Sequence, residues 1–126
     1  MANYLTDCYN LMKKKEKDLT FDEFLKIEMR VGTIIDALEF IEAKKPAYKL
    51  TINFGDYGIM KSSAQITKLY NTGELINKQV IAVVNFPVKL IARYRSECLV
   101  LGVMEDDGKV TLLVPDKRVQ EGLPIG

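Results

Sequence analysis

Residues 48–62 read YKLTINFGDYGIMKS, and this stretch predicts a β-hairpin. From Tyr48 to Phe54 apolar and polar side chains alternate, as in a strand with one face in a core and the other in water. The turn GDYG at residues 55–58 leads into a second strand at residues 59–62. Alternation places Tyr48 and Phe54 on the core face, so both rings are expected to be buried.

A longer strand is predicted before this hairpin. Every second residue from Met29 to Ala37 lies on one face, and all but Thr33 are apolar, after which Leu38 and Phe40 carry the apolar set on the opposite face. A change of phase inside one strand, with Gly32 nearby, predicts a bulge of the kind that small barrels use to bend.

The remaining strands follow the hairpin. The unbroken apolar runs at residues 80–84 and 98–104 are typical of strands buried on both faces, and a turn at residues 106–108 leads to a last strand at residues 110–114. Residues 64–77 carry little strand pattern and predict an irregular or short helical connection. Because no long helices separate the strands, the sequence predicts an all-β protein, a five-stranded oligonucleotide-binding (OB) barrel with short helices and an extra hairpin arm.

The N-terminal region predicts a helical extension at residues 1–19, followed by the barrel domain at residues 20–126. Residues 4–12 place apolar side chains at the spacing of an amphipathic helix, and four lysines follow at positions 13–17. This helix could pack on its own domain, contact a second subunit or serve as a basic arm for RNA. Thr20 and Glu23 form a capping-box pattern that predicts the start of a further short helix.

The composition excludes several classes of function. The 126 residues contain no histidine and only two cysteines, which removes Ser-His and Cys-His catalysis and zinc sites with histidine or four thiolates. No acid-base pair or activated nucleophile can be assembled, so we expect a binding protein without enzymatic activity, metal or cofactor. No apolar run approaches the roughly 20 residues that span a bilayer. We therefore expect a cytoplasmic protein with reduced thiols and no membrane insertion.

The formal net charge of +1 conceals an uneven distribution. Residues 44–95 contain 9 basic and 2 acidic residues, whereas the segments on either side are acidic. Aromatic residues interleave with these cations, a mixture adequate for phosphate contacts and base stacking on looped or single-stranded RNA. One basic face and a scatter of solvated lysines are both compatible with this count.

Six strings closely resemble the CsaA family, small export-related chaperones of the tRNA-binding-domain group. They lie at residues 29–32 (MRVG), 46–50 (PAYKL), 61–67 (KSSAQIT), 77–87 (NKQVIAVVNFP), 96–102 (SECLVLG) and 124–126 (PIG). The resemblance implies an OB barrel, a homodimer, binding of unfolded preproteins and affinity for tRNA. The competing interpretation is a tRNA-binding module that acts in trans on tRNA or on a synthetase, without a chaperone role.

The resemblance also suggests binding residues at the ends of strands. Lys61, Ser62, Ser63 and Asn85 match the signature strings of the family. Lys49, Arg93 and Arg95 join them as RNA-binding candidates, because long cations are seldom needed inside a core. The candidates for peptide binding or a dimer contact are Phe86, Pro87 and Leu90.

Some of these residues have a structural alternative. Ser62, Ser63 and Asn85 could instead satisfy backbone groups at barrel corners, and Phe86 and Leu90 could belong to the core. Two positions depart from the family pattern, because Val88 stands where a second proline is usual and Arg93 where a glycine is usual.

Overall fold

The computed structural model describes residues 18–126, so the helix predicted at residues 4–12 lies outside it. Within the described part of the chain, two short α-helices and nine β-strands alternate with turns. Their bounds are α1 (Phe21–Leu25), β1 (Met29–Glu39), β2 (Tyr48–Asn53), β3 (Ile59–Ala64), α2 (Thr72–Leu75), β4 (Gln79–Val83), β5 (Lys89–Ile91), β6 (Tyr94–Ser96), β7 (Leu99–Val100), β8 (Gly102–Met104) and β9 (Val110–Leu112). A single 3₁₀ turn, Gly55–Tyr57, joins β2 to β3.

Five of the strands form one antiparallel sheet in the order β3-β2-β1-β4-β7. The sheet curls until its two edges meet, because residues just before β7 bond to β3. The Glu97 N–H donates to the Lys61 carbonyl (2.7 Å), and the Ser62 hydroxyl donates to the Cys98 carbonyl (2.8 Å). The nearly closed five-stranded barrel confirms the predicted fold.

Strand β2 supplies the centre of the core. Its burial alternates along the strand, and Leu50, Ile52 and the adjoining Phe54 are fully buried. Tyr48 also faces inward, and its hydroxyl donates to the Tyr70 carbonyl (2.7 Å). The alternation at residues 48–54 therefore predicted the direction of each of these side chains correctly.

The bulge in β1 exists, but the predicted position is wrong. Ile34 pairs with Ile52 and Asp36 with Thr51, so Ile35 is the extra residue, and its side chain is 46% exposed. Ile34 and Ile35 are both apolar, so the period-two pattern could not show which of them turns outward. Gly32 has a separate role, since a Cβ there would lie only 2.6 Å from the Phe54 ring.

The prediction of one strand buried on both faces at residues 98–104 is wrong. Two short strands, β7 and β8, occupy this run, and Leu99 and Val103 are 47% and 56% exposed. The reason is topological: among residues 18–126, β7 is a sheet edge, and β8 pairs only with β9 in a two-stranded ribbon. An apolar run signals burial only when other elements cover both of its faces.

The capping box predicted for α1 is confirmed. The Thr20 hydroxyl accepts from the Glu23 N–H (3.1 Å), and the Glu23 carboxylate accepts from the Thr20 N–H (3.0 Å), which lowers the pKa of Glu23. Residues 64–77 form the predicted connection, with α2 as its only helix. Among residues 18–126, neither helix is long and apolar enough to cross a membrane.

Candidate nucleic-acid interface

The outer face of β2 and β3 carries the first part of the predicted site. Lys49 pairs with Ser63, and Thr51 pairs with Lys61, so these four side chains lie side by side on the surface of the sheet. Lys61 is exposed and Ser63 half-buried. Their inward neighbours on the same strands belong to the core, which fixes the direction of the polar set.

The hairpin arm β5–β6 folds along β3 and carries two further cations. The Ser63 N–H donates to the Ser96 hydroxyl (3.0 Å), which attaches the arm to the sheet. The arm pairs Leu90 with Arg95 and Ile91 with Tyr94, and its tip is formed by Ala92 and Arg93. Arg93 and Arg95 are both exposed.

Tyr94 anchors the arm over β2. Its hydroxyl donates to the Leu50 carbonyl (3.2 Å), and its ring packs edge-on against Phe40 with the ring centroids 5.3 Å apart. Burial raises the pKa of Tyr94 to about 12, so the hydroxyl remains a donor at neutral pH. Leu50 pairs with Ala37 of β1 in the sheet register. The Ala37 N–H donates to the Asp36 carboxylate (3.0 Å) beside the bulge, and the Leu50 carbonyl accepts from the Tyr94 hydroxyl.

Lys49 lies under the arm in a partly neutralised setting. Its ammonium is 3.7 Å from the Glu42 carboxylate, 5.0 Å from the Phe40 centroid and 5.5 Å from the Tyr94 centroid. Only 29% of its side chain is exposed. Lys49 is thus held by local contacts, whereas within residues 18–126 Lys61, Arg93 and Arg95 take part in no ion pair.

The tip of the arm has a strained backbone. Ala92 and Arg93 have φ values of 46° and 69°, in the left-handed region that a tight two-residue hairpin requires and that glycine or asparagine usually supplies. Such a conformation costs on the order of 1 kcal/mol or more for other residues. Arg93 thus occupies the tip of the arm although its backbone conformation is unfavourable, and its side chain is exposed to solvent.

Ser62 and Asn85, two of the predicted RNA-binding residues, make structural contacts. Ser62 is fully buried, with its hydroxyl bound to the Cys98 carbonyl, so it is not accessible to a ligand. The Asn85 amide accepts from the Glu28 N–H (3.0 Å) and donates to the Lys26 carbonyl (2.7 Å), which uses both ends of the group. Ser62 is therefore removed from the candidates, whereas Asn85 is exposed and its amide has a second N–H, so its role in RNA binding stays a prediction. The remaining candidates, Lys49, Lys61, Ser63, Arg93 and Arg95, are called the basic face.

Phe86 and Pro87, two of the three predicted peptide-binding residues, line an apolar groove beside the arm. Its volume is about 400 Å³. The lining residues are Phe86, Pro87, Val88, Lys89, Ser96, Glu97, Cys98 and Leu99. Phe86 and Leu90 are 55% and 66% exposed, so neither belongs to the core of this chain. Leu90 lies outside the groove itself, on the arm opposite Arg95.

Sequence reasoning missed several residues at these two surfaces. Val88 and Leu99 line the groove, and Tyr94 holds the arm in place. Residues 89–96 (KLIARYRS) have no period-two pattern that could have indicated the arm strands, and no local pattern shows the hydrogen bond from Tyr94 to Leu50. Cys98 forms part of the groove floor, and burial raises the pKa of its thiol to about 12, so the thiol is protonated at neutral pH.

Comparison with known proteins places the chain in a family. Residues 29–124 match the family described as "Putative tRNA binding domain". The CsaA chaperone structure from Bacillus anthracis str. Ames is 46% identical with a TM-score of 0.83, and 87% of this chain covers 100% of that one. The CsaA structure from Picrophilus torridus is 54% identical with a TM-score of 0.81, and 86% of this chain covers all of it.

The curated relatives are larger proteins. The methionine–tRNA ligase of Pyrococcus abyssi is 35% identical over 112 residues, which is 88% of this chain but 15% of the enzyme. The chain thus corresponds to a small part of that enzyme. Taken with the barrel and the full-length match to two CsaA structures, these similarities show that the chain belongs to the CsaA family of tRNA-binding-domain proteins.

Proposed function

We propose that this protein is a non-catalytic secretion chaperone of the cytoplasm, which holds unfolded preproteins in the apolar groove and binds tRNA on the basic face. The proposal rests on one observation: the hairpin arm contributes both to the basic face and to the apolar groove. Lys61, Arg93 and Arg95 are exposed cations without an acidic partner in the described chain, and the arm that carries two of them also forms a wall of the groove.

The basic face suits phosphates better than bases. Lysine and arginine neutralise phosphates without reading sequence, and arginine can bind a phosphate through two parallel N–H donors. The two rings whose centroids lie 5.0 and 5.5 Å from the Lys49 ammonium, Phe40 and Tyr94, pack on each other beneath it, so their faces are not free for stacking. We expect recognition of the RNA backbone, with weak dependence on nucleotide sequence.

The groove suits an extended apolar peptide. Phe86, Val88 and Leu99 are each more than two fifths exposed, and an uncovered patch of this kind marks an interaction surface more often than an accident of packing. The preprotein role rests on this groove together with membership of the CsaA family.

The competing function is a tRNA-binding module that acts in trans on tRNA or on a synthetase, without a chaperone role. The similarity to a part of methionine–tRNA ligase favours it. The two functions differ in whether the groove binds polypeptide, so the peptide experiment below distinguishes them.

We also propose a homodimer. A second set of exposed apolar side chains, separate from the groove, lies on β8 and on the residues after β9, and its members are Val103, Met104, Leu113 and Val114. Light scattering at micromolar concentration should give twice the chain mass of 14.3 kDa. A mass of one chain would contradict the dimer.

The peptide function is tested by the Val88→Asp variant. Val88 is exposed outside any strand, so the fold should tolerate the change, but a carboxylate in the groove must be desolvated when an apolar peptide binds. We expect the affinity for an unfolded preprotein segment, measured by fluorescence anisotropy, to fall by about tenfold or more. Affinity for tRNA should change much less.

The matched control is Ile41→Asp, which adds the same charge at a side chain that is 83% exposed in the β1–β2 loop. It should leave peptide affinity unchanged. Absence of peptide binding by the unmodified protein, with tRNA binding intact, would support the module acting in trans. Equal loss in the two variants would contradict the assignment of the groove.

A further inference from the structure

An arginine outside the basic face is held in a fixed orientation. Arg118 lies on the exposed segment that follows β9. Its guanidinium donates twice to one residue, to the Asn77 carbonyl (2.9 Å) and to the Asn77 side-chain oxygen (2.9 Å). Two N–H donors on one partner fix the plane of a guanidinium as well as its position. Arg118 has thus given up much of the rotamer freedom that an exposed arginine normally keeps.

The segment that carries Arg118 has a separate attachment to the barrel. At the next residue, the buried Gln79 side chain donates to the Val119 carbonyl (2.7 Å) and accepts from the Val119 N–H (3.0 Å). This reciprocal pair of bonds ties the segment to the start of β4. Asn77 is exposed, so water could satisfy its oxygens without Arg118. The two bonds to Asn77 therefore orient the guanidinium rather than hold the segment.

Asn77 is a rigid support for this contact. Its φ is 70°, in the left-handed region that asparagine adopts more readily than most residues. The Asn77 N–H donates to the Ile34 carbonyl (2.7 Å), and the Ile34 N–H donates to the Lys78 carbonyl (2.9 Å). Both oxygens that accept from Arg118 thus belong to a turn that is fixed to β1.

The guanidinium of Arg118 has no acidic partner. Within residues 18–126 it takes part in no ion pair, although Asp116 lies two residues earlier, and Lys117 and Lys78 are likewise unpaired with acids. The Lys78 ammonium lies 5.8 Å from the centroid of the Tyr70 ring. A guanidinium has five N–H donors, and only two are used here. An oriented guanidinium with open donors and no carboxylate matches a phosphate group.

The position of Arg118 suits a second contact with the RNA that the basic face is proposed to bind. Lys61 lies on β3 and Lys78 just before β4, with β2 and β1 between them in the sheet. Three strand spacings amount to roughly 14 Å along the sheet. Arg118 is bonded to the residue before Lys78, so a folded RNA is large enough to reach both Arg118 and the basic face.

We propose that Arg118, oriented by Asn77, binds a phosphate of the RNA backbone at a second contact point outside the basic face. The inference rests on the RNA binding proposed above. Asn77 is a positioning residue, because it supplies no charge but keeps the guanidinium in place, so that little side-chain entropy remains to be lost when the phosphate binds.

Three single variants test the proposal, with filter binding of purified tRNA over a range of salt concentrations. Arg118→Ala should lower the affinity about fivefold at low salt and reduce the slope of log affinity against log salt by about one. The matched control, Lys117→Ala, removes the same charge from the exposed side chain one residue earlier and should have much less effect.

The third variant, Asn77→Gly, separates orientation from charge. Glycine tolerates the positive φ of this position, and the net charge stays the same, but the side-chain oxygen that holds Arg118 is lost. We expect the affinity for tRNA to fall about threefold with an unchanged salt slope. Circular dichroism checks the fold of each variant. Where Arg118→Ala is unstable, Arg118→Lys replaces it, and it should weaken binding with the salt slope unchanged because only the oriented pair of donors is lost.

Two outcomes would overturn the proposal and leave RNA binding by the basic face intact. One is an equal loss of affinity in Arg118→Ala and Lys117→Ala. The other is an unchanged affinity in Arg118→Ala when joint replacement of Lys61, Arg93 and Arg95 by alanine weakens binding. A flat salt dependence of the unmodified protein would remove the proposed RNA binding itself, and this inference with it.

Discussion

Reversing the charge of Lys61, Arg93 and Arg95 together should lower the affinity for tRNA by at least about a hundredfold at low salt, because three phosphate contacts are lost and three repulsive charges replace them. The variant is Lys61→Glu, Arg93→Glu and Arg95→Glu in one chain. All three side chains are exposed, and none is paired with an acid within residues 18–126, so the fold should not depend on them. Filter binding or anisotropy with purified tRNA measures the loss.

The control for this variant has the same change in net charge on other surfaces. Lys26, Lys109 and Lys117 are also exposed, and their joint replacement by glutamate alters the protein's overall charge equally. The control should weaken tRNA binding by much less than the face variant. A similar loss in both proteins would mean that tRNA responds to net charge rather than to the basic face.

Phe54→Ala should lower the free energy of unfolding by about 3–5 kcal/mol, the usual range for loss of a fully buried phenylalanine. Phe54 is fully buried at the end of β2, and Gly32 on the neighbouring strand leaves the space that its ring fills. Smaller side chains nearby cannot close this cavity without moving the sheet. Urea unfolding followed by circular dichroism measures the change.

The matched control for this prediction is Phe21→Ala. Phe21 is 71% exposed on α1, so its loss should change the free energy of unfolding by about 0.5 kcal/mol or less. A small effect of Phe54→Ala would contradict the assignment of β2 as the centre of the core. A large effect of Phe21→Ala would mean that α1 packs against something outside residues 18–126.

The parts of the fold that the sequence predicted correctly are those with a clear local pattern. Residues 48–54 alternate without ambiguity, and Thr20 and Glu23 form a complete capping box, so both elements agree with the prediction. The bulge was misplaced because two adjacent isoleucines fit either phase. The run at residues 98–104 was misread because the exposure of Leu99 and Val103 depends on the sheet topology. Within residues 18–126, β7 lies at a sheet edge and β8 in a two-stranded ribbon, which a run of apolar residues does not show.

The site was predictable in its residue types but not in its arrangement. Long cations are seldom buried, so Lys61, Arg93 and Arg95 could be proposed as surface residues from their chemistry alone. The arm approaches β2 through the bond between Tyr94 and the Leu50 carbonyl, 44 residues apart in sequence, which no local pattern shows. The same limit applies to Ser62, whose hydroxyl bonds to the Cys98 carbonyl across the closure of the barrel.

The salt dependence of tRNA binding tests the central claim, binding of RNA phosphates by the basic face, most directly. Each phosphate neutralised contributes roughly one to the slope of log affinity against log salt concentration. For the unmodified protein we predict a slope of about three or more in magnitude, and for Lys61→Ala, Arg93→Ala and Arg95→Ala combined a slope smaller by about two to three. A flat dependence, or an unchanged slope in the combined variant, would contradict the claim.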